Sequence, residues 1–304
     1  MDRREFIASS VVAGAAAVTA SSAAGSGGSR SSAEPFKLKY APHFGMFGNH
    51  AEDRLDQIRY AADQGFTAWE HNGMAGESVE FQDQFARVMD KLGMTMGVFV
   101  VNPSTAWGPN FVKGEAAARE QFGKDCQNAV EVAKRVNATW MTVVPGTTIN
   151  NREMGYQTGS VIDQLRAGAE VLEPHGLAMV LEPLNPWRDH PGMFLTKIPQ
   201  AYEVCRAVNS PACKILFDIY HQQITEGNLI PNIDLAWSET AYFQVGDNPG
   251  RREPGTGEIN YRNVFRHIHS KGFTGVVGME HGKSIGGSEG EDALVNAYRA
   301  SDQF

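Results

Sequence analysis

The segment Gly176-Leu177-Ala178-Met179-Val180-Leu181-Glu182 contains the phrase that decides the fold: a glycine, a short apolar run, and a carboxylate where the run stops. Glycine has no Cβ and readily takes the left-handed conformation that ends helices, with asparagine next in tolerance. The apolar run after it reads as a buried strand. The same helix-stop and strand-start recurs at Gly65 before Phe66, Gly93 before Met94, Asn137 before Ala138, Asn209 before Ser210 and Gly272 before Phe273. In chain order the spacings are 28, 44, 39, 33 and 63 residues, and the last is double the usual unit. One uncapped unit is therefore expected inside it. Leu55, Ile58 and Ala62 recur at helical spacing, as do Ala129, Val132 and Val136.

The strands expected from this pattern are 36–41, 68–70, 96–102, 140–144, 178–182, 214–218, 242–245 and 275–280. Strands alternating with helices form either an open doubly wound sheet or a closed barrel. Eight units in a 304-residue chain favour a single-domain (β/α)8 TIM barrel over 36–304. An open nucleotide-binding sheet would carry a glycine-rich turn after its first strand, and Pro42-His43-Phe44-Gly45 is not one. Gly282-Lys283-Ser284 mimics the end of a phosphate-binding loop, but Val277 stands where the leading glycine belongs.

The chain opens with Asp2-Arg3-Arg4-Glu5-Phe6-Ile7, a weakly hydrophobic stretch, and then Ser22-Ala23-Ala24. Paired arginines, a short apolar run and a small-residue cleavage site describe a twin-arginine export signal over 1–24 and predict a periplasmic or otherwise exported protein. Residues 25–35 are rich in glycine and serine and read as a flexible linker. With 27 Lys and Arg against 35 Asp and Glu, the net charge is -8. That balance, with no basic block, sets aside nucleic acid and anionic membranes as partners. No apolar run is long enough to span a bilayer. Cys126, Cys205 and Cys213 show no metal-type spacing and read as buried apolar residues. The expected partners are a small-molecule substrate and the twin-arginine machinery, with self-association into a homo-oligomer left open.

Polar residues fall at or beside the ends of the expected strands: Glu70, Asn102, Glu182, Asp218, Gln244 and Glu280. In a barrel these ends share one mouth, where such folds keep their active sites. Three converging carboxylates repel one another unless a cation lies among them. Glu182, Asp218, Gln244 and Glu280 all offer oxygen, the hard donor set suited to Mg²⁺ or Mn²⁺, whereas zinc recruits His or Cys.

Leu181-Glu182-Pro183-Leu184-Asn185, Phe217-Asp218-Ile219-Tyr220-His221 and Gln244-Val245-Gly246-Asp247-Asn248-Pro249 resemble the hydroxypyruvate isomerase family. So do Arg252-Glu253-Pro254-Gly255-Thr256-Gly257-Glu258-Ile259-Asn260-Tyr261 and Gly278-Met279-Glu280. The resemblance runs from about Lys37 to the C-terminus. It implies a xylose-isomerase-like barrel, with Glu182, Asp218, Gln244 and Glu280 as metal ligands. It also implies that Glu182 and Glu280 move protons, and that His221 and Arg251 contact substrate. The related ketose 3-epimerases commonly carry His where this chain has Gln244.

Interconverting an α-hydroxyaldehyde and an α-hydroxyketone means removing a proton beside a carbonyl and returning it to the neighbouring carbon. One carboxylate serves as base and another as acid, while a divalent ion stabilises the enediolate. Arg251 or Arg252 suits a substrate carboxylate through paired hydrogen bonds. Glu70 is placed either to bond a substrate hydroxyl or to cap the rim. Trp107 and Trp187, in loops after the third and fifth strands, are placed to exclude water. The expected reaction is hydroxypyruvate to tartronate semialdehyde. The rivals are an exported sugar epimerase or lyase, a retaining glycosidase using Glu182 and Glu280, and a non-catalytic sugar-binding barrel.

Overall fold

In the computed structural model, residues 33–304 are described. The expected export signal and residues 25–32 of the expected linker lie outside the described residues. Eight strands occur among them: β1 (Lys39–Ala41), β2 (Ala68–Trp69), β3 (Thr95–Met96), β4 (Trp140–Val143), β5 (Ala178–Leu181), β6 (Cys213–Asp218), β7 (Thr240–Gln244) and β8 (Val276–Gly278). They form a parallel six-stranded sheet in the order β1-β8-β7-β6-β5-β4, and a parallel pair, β2-β3. The pairing of first strand with last curls the sheet into a barrel. A few backbone hydrogen bonds bridge the remaining gaps. The Glu70 N–H donates to the Pro42 carbonyl at 2.9 Å, and the Thr142 N–H to the Phe99 carbonyl at 2.8 Å.

All six helix stops read from the sequence lie at positive φ, between 53° at Asn137 and 85° at Gly65. The helix Val79–Leu92 shows how sequence produces one unit: the Ser78 side chain accepts the Phe81 N–H, and Gly93 closes the C-terminus. Its buried face, Gln82, Phe85, Val88 and Met89, lies against the core. The uncapped unit expected between Asn209 and Gly272 is there too. Helix Leu229–Ala236 runs through a turn at Trp237–Glu239 into β7 at Thr240, whose backbone is extended, so no glycine marks it.

The third strand is shorter than expected: β3 ends at Met96, and the stretch to Asn102 keeps a bridge from Val100 to Thr142 and hydrogen bonds from the Gly97 and Val100 N–H groups to the Trp69 and Asn72 carbonyls. Gly97 explains the break. A Cβ there would lie 2.4 Å from the Tyr242 hydroxyl, and the next N–H, of Val98, donates to that hydroxyl at 3.3 Å instead of to a neighbouring strand.

Strand side chains alternate faces, so inward positions recur every second residue. Ala41, Ala68, Val98, Val180, Leu216, Tyr242 and Val276 form one buried cluster inside the barrel. Two residues further along the chain from each stand His43, Glu70, Val100, Glu182, Asp218, Gln244 and Gly278. The candidate site is therefore the next layer of the same inward face. The main core lies outside the barrel, between strands and helices. Cys126, Cys205 and Cys213 are buried and free, with 4.0 Å between the sulfurs of Cys205 and Cys213. No helix among the described residues is long and apolar enough to cross a membrane.

Candidate active site

A pocket of about 300 Å³ is lined by Glu182, Glu280, His221, Arg251, Asn72 and Thr142, with an apolar wall that includes Pro103, Ala106, Trp107 and Leu184. Glu182 follows β5, Asp218 ends β6, and Gln244, paired in register with Asp218, ends β7. Burial, then the charges of Glu280 and Asp218, push the Glu182 carboxyl well above the ordinary range. Burial likewise pushes Glu280 up to about 7, although Arg251 opposes the shift. Arg251 is the cation that lies among these groups. Its Nη2 donates to Glu280 at 2.7 Å and to Asp218 at 3.3 Å, and its Nε donates to the Glu280 carbonyl at 3.0 Å.

The loop after β7 holds Arg251 in place. Asp247 accepts the N–H groups of Gly255, Gly257 and Ile259 at 2.8, 2.9 and 3.1 Å. Gly257 has no room for a Cβ, which would lie 2.2 Å from the Asn248 carbonyl oxygen. Glu253 accepts the Ser284 N–H at 2.9 Å and the Ser284 hydroxyl, tying the loop to the chain beyond β8. Arg251 itself takes φ 52°, an uncommon conformation for a side-chain-bearing residue. Arg252, the alternative substrate contact, is exposed, and its guanidinium occupies the space beside Gly282.

His221 is fully buried, and burial lowers it to about 4, so its ring is neutral. Nδ1 lies 3.2 Å from the Asn185 backbone N–H and 2.7 Å from Asn185 Nδ2. Both are donors, so the ring proton sits on Nε2. That atom has no hydrogen-bond partner and lies 3.8 Å from Glu182 and 3.6 Å from Asp218. Ligand atoms of Glu182, Asp218 and His221 lie within 4.8 Å of one another. A lone pair on Nε2 would require moving the proton to Nδ1, against two donors; the ring is set to donate into the pocket.

These residues fit a divalent cation. Clustered carboxylates hold one another's pKa values up, and the Gln244 side-chain oxygen is buried without a partner. The set Glu182, Asp218, Gln244 and Glu280 is rich in oxygen, as Mg²⁺ or Mn²⁺ requires.

Three sequence expectations change. Glu70 does not cap the rim: it is buried, receives hydrogen bonds from Tyr242 at 2.7 Å and Gln244 at 3.0 Å, and is absent from the pocket lining. Burial and the charge of Glu280 push it up to about 8, against those two hydrogen bonds. Asn102 clasps the backbone of Val144 and has no face on the pocket. Trp187 is 75% exposed and away from the lining, whereas Trp107 lines it and stacks on His190 at 5.4 Å.

Asn72, Thr142 and His190 escaped the sequence reading. Period-two counting would have found two of them, since Asn72 follows Glu70 by two and Thr142 follows Trp140 by two. Asp189, accepting from Asn185 at 2.8 Å and Tyr220 at 2.9 Å, was legible only as a residue of the loop.

Fold and site together define an α/β-barrel enzyme whose carboxylate-lined pocket opens at the C-terminal ends of the strands. The chain belongs to the xylose isomerase-like TIM barrel family, which it matches over residues 58–300. It is similar to 2-oxo-tetronate isomerase of Pectobacterium atrosepticum, 27% identical over 234 residues, covering 75% of this chain and 86% of that one. It is also similar to hydroxypyruvate isomerase of Escherichia coli, 32% identical over 162 residues, 53% of this chain and 62% of that one. A crystal structure titled AP endonuclease, family 2, from Brucella melitensis has a TM-score of 0.73 at 26% identity, covering 86% of this chain and 99% of that one. The curated relatives are named as isomerases, and this chain is an enzyme of that kind.

Proposed function

We propose that the chain is a divalent-metal-dependent isomerase of small hydroxy-keto acids or keto-sugars, of the hydroxypyruvate isomerase kind. The observation that carries this reading is that Glu182 and Glu280, both pushed up by burial, line one small pocket with Arg251 and His221. Names of relatives that act on hydroxypyruvate and 2-oxo-tetronate support the substrate class. An endonuclease reading would need clustered Lys and Arg at the mouth, where this chain presents carboxylates.

In this proposal Glu182, Asp218, Gln244 and Glu280 would hold Mg²⁺ or Mn²⁺, which would supply positive charge against the negative charge that develops on the substrate oxygens. One of Glu182 and Glu280 takes the proton from the hydroxyl-bearing carbon beside the carbonyl, and the other gives a proton to the former carbonyl carbon. The hydroxyl proton passes to the former carbonyl oxygen, and exchange with solvent restores both carboxyl groups. Burial raises both carboxyls, which suits them to hold a proton during part of the cycle. His221 donates from Nε2 to a substrate oxygen, and Arg251 holds a carboxylate or hydroxyl. Trp107, Pro103 and Leu184 keep water from the intermediate. Residues 1–24 support the further proposal that the chain is exported by the twin-arginine route to the periplasm.

The test is turnover of hydroxypyruvate and 2-oxo-tetronate in D₂O, followed by NMR. Deuterium on the carbon beside the carbonyl is expected, and Glu182→Gln and Glu280→Gln should each lose about 10²–10⁴-fold in kcat. Retained turnover in both variants, or release of two products from a glycoside, overturns the reading.

A further inference from the structure

Glu70 has no part in the proton transfer proposed above, yet the barrel is built around it. It is 2% exposed, and two positions, Gly278 on β8 and Gly97 just past β3, give up a side chain to admit it and its partner. A Cβ on Gly278 would lie 2.0 Å from Glu70 Oε2 and 3.0 Å from Gln244 Cγ, and one on Gly97 would lie 2.4 Å from the Tyr242 hydroxyl. Neither glycine has a positive φ, so space, not backbone conformation, requires glycine at both.

The hydrogen bonds within that space run in one direction. The Val98 N–H donates to the Tyr242 hydroxyl at 3.3 Å, and the hydroxyl donates its own proton to Glu70 Oε2 at 2.7 Å. Glu70 Oε1 receives the Gln244 Nε2 at 3.0 Å. With Glu70 ionised, as a cation bound beside Gln244 would favour, a reversed Gln244 amide would set two acceptor oxygens face to face with no proton between them. Ionised Glu70 therefore permits one orientation, which turns the Gln244 oxygen away, buried and without a partner. An amide binds a hard cation through that oxygen and not through its nitrogen.

We propose that Glu70 is a positioning residue that fixes the Gln244 amide so that its oxygen, rather than its NH₂, faces the cation held by Glu182, Asp218 and Glu280. This rests on the metal reading given above. The side-chain amide of Glu70→Gln offers both a donor and an acceptor, so Gln244 is no longer forced into one orientation.

The test is a double-mutant cycle on metal-free full-length protein, titrated with Mn²⁺ by calorimetry, with the thermal midpoint recorded for every variant. Glu70→Gln should bind Mn²⁺ about 10–100-fold more weakly, the range typical of lost outer-shell partners, with a midpoint close to wild type. Gln244→Glu alone sets two carboxylates together and should weaken binding. In the Glu70→Gln background the same change should strengthen it, because a carboxylate presents oxygen whichever way it turns and can accept from the new amide. Opposite signs in the two backgrounds support positioning. Wild-type affinity in Glu70→Gln, or the same effect of Gln244→Glu in both backgrounds, overturns it while leaving the metal reading in place. Wild-type protein that binds no Mn²⁺ overturns the metal reading and this proposal with it.

Discussion

The backbone N–H and side-chain amide of Asn185 both point at Nδ1 of His221, at 3.2 and 2.7 Å, and so decide which face of the imidazole carries the proton. The residue that opens the loop after β5 thereby sets the chemistry of a residue just beyond β6.

Nitrogen-15 NMR of the metal-free protein should show His221 neutral, protonated on Nε2, and titrating near 4 rather than in the ordinary histidine range. Asn185→Ala removes one of the two donors and also frees Asp189. It should lower kcat/KM about 10–100-fold, as loss of an orienting partner does. A neutral ring protonated on Nδ1 would contradict the assigned tautomer.

Asp218 has two duties that substitution can separate. Its Oδ1 caps the helix Ile219–Thr225 by accepting the Tyr220 and His221 N–H groups at 2.7 and 3.3 Å, while Oδ2 faces Arg251. Asp218→Asn retains an oxygen for the cap but loses the charge, whereas Asp218→Ala loses both. Calorimetry should show Mn²⁺ binding collapsing in each, and chemical denaturation should show about 1 kcal/mol of lost stability in the Ala variant alone.

Acid stability should depend on Glu291. Its carboxylate is fully buried and binds Lys283 at 2.8 Å and the Asn49 and His50 N–H groups at 2.9 and 3.0 Å. Burial alone would raise its pKa, but Lys283, Asn49 and those N–H groups outweigh it and hold the group below 4.5. The unfolded chain therefore binds this proton at a higher pH than the folded one. The stabilisation is complete above about 4.5 and is lost as pH falls below it. Glu291→Gln should lower stability at pH 7 by about 1–3 kcal/mol and flatten the acid limb of a denaturation profile. An unchanged acid limb would show that other groups govern it.

Export is tested by cell fractionation. Replacing Arg3 and Arg4 with Lys should retain the precursor in the cytoplasm, because the twin-arginine route reads that pair. Unchanged periplasmic accumulation would mean that another route carries the protein.

What the sequence determined by itself is local and periodic. Gly65, Gly93, Asn137, Gly176, Asn209 and Gly272 stop helices because their own backbones take positive φ, a property of one residue and its neighbours. Apolar runs after those stops give strands, and an inward position recurs every second residue, which puts Glu182, Asp218 and Gln244 on one face. Tertiary structure decided everything that depends on what lies across the barrel. Glu70 and Asn102 ended their runs as Glu182 and Asp218 did, yet Glu70 turned to Tyr242 and Gln244, and Asn102 to Val144. Gly97 cut the third strand short because a hydroxyl from β7, 145 positions away, occupies the space beside it. Arg251 became the partner of both Asp218 and Glu280 through a loop anchored on Asp247. A hydrogen bond or a steric exclusion between distant residues leaves no periodic trace in the chain, so only the folded barrel reveals which polar ends meet.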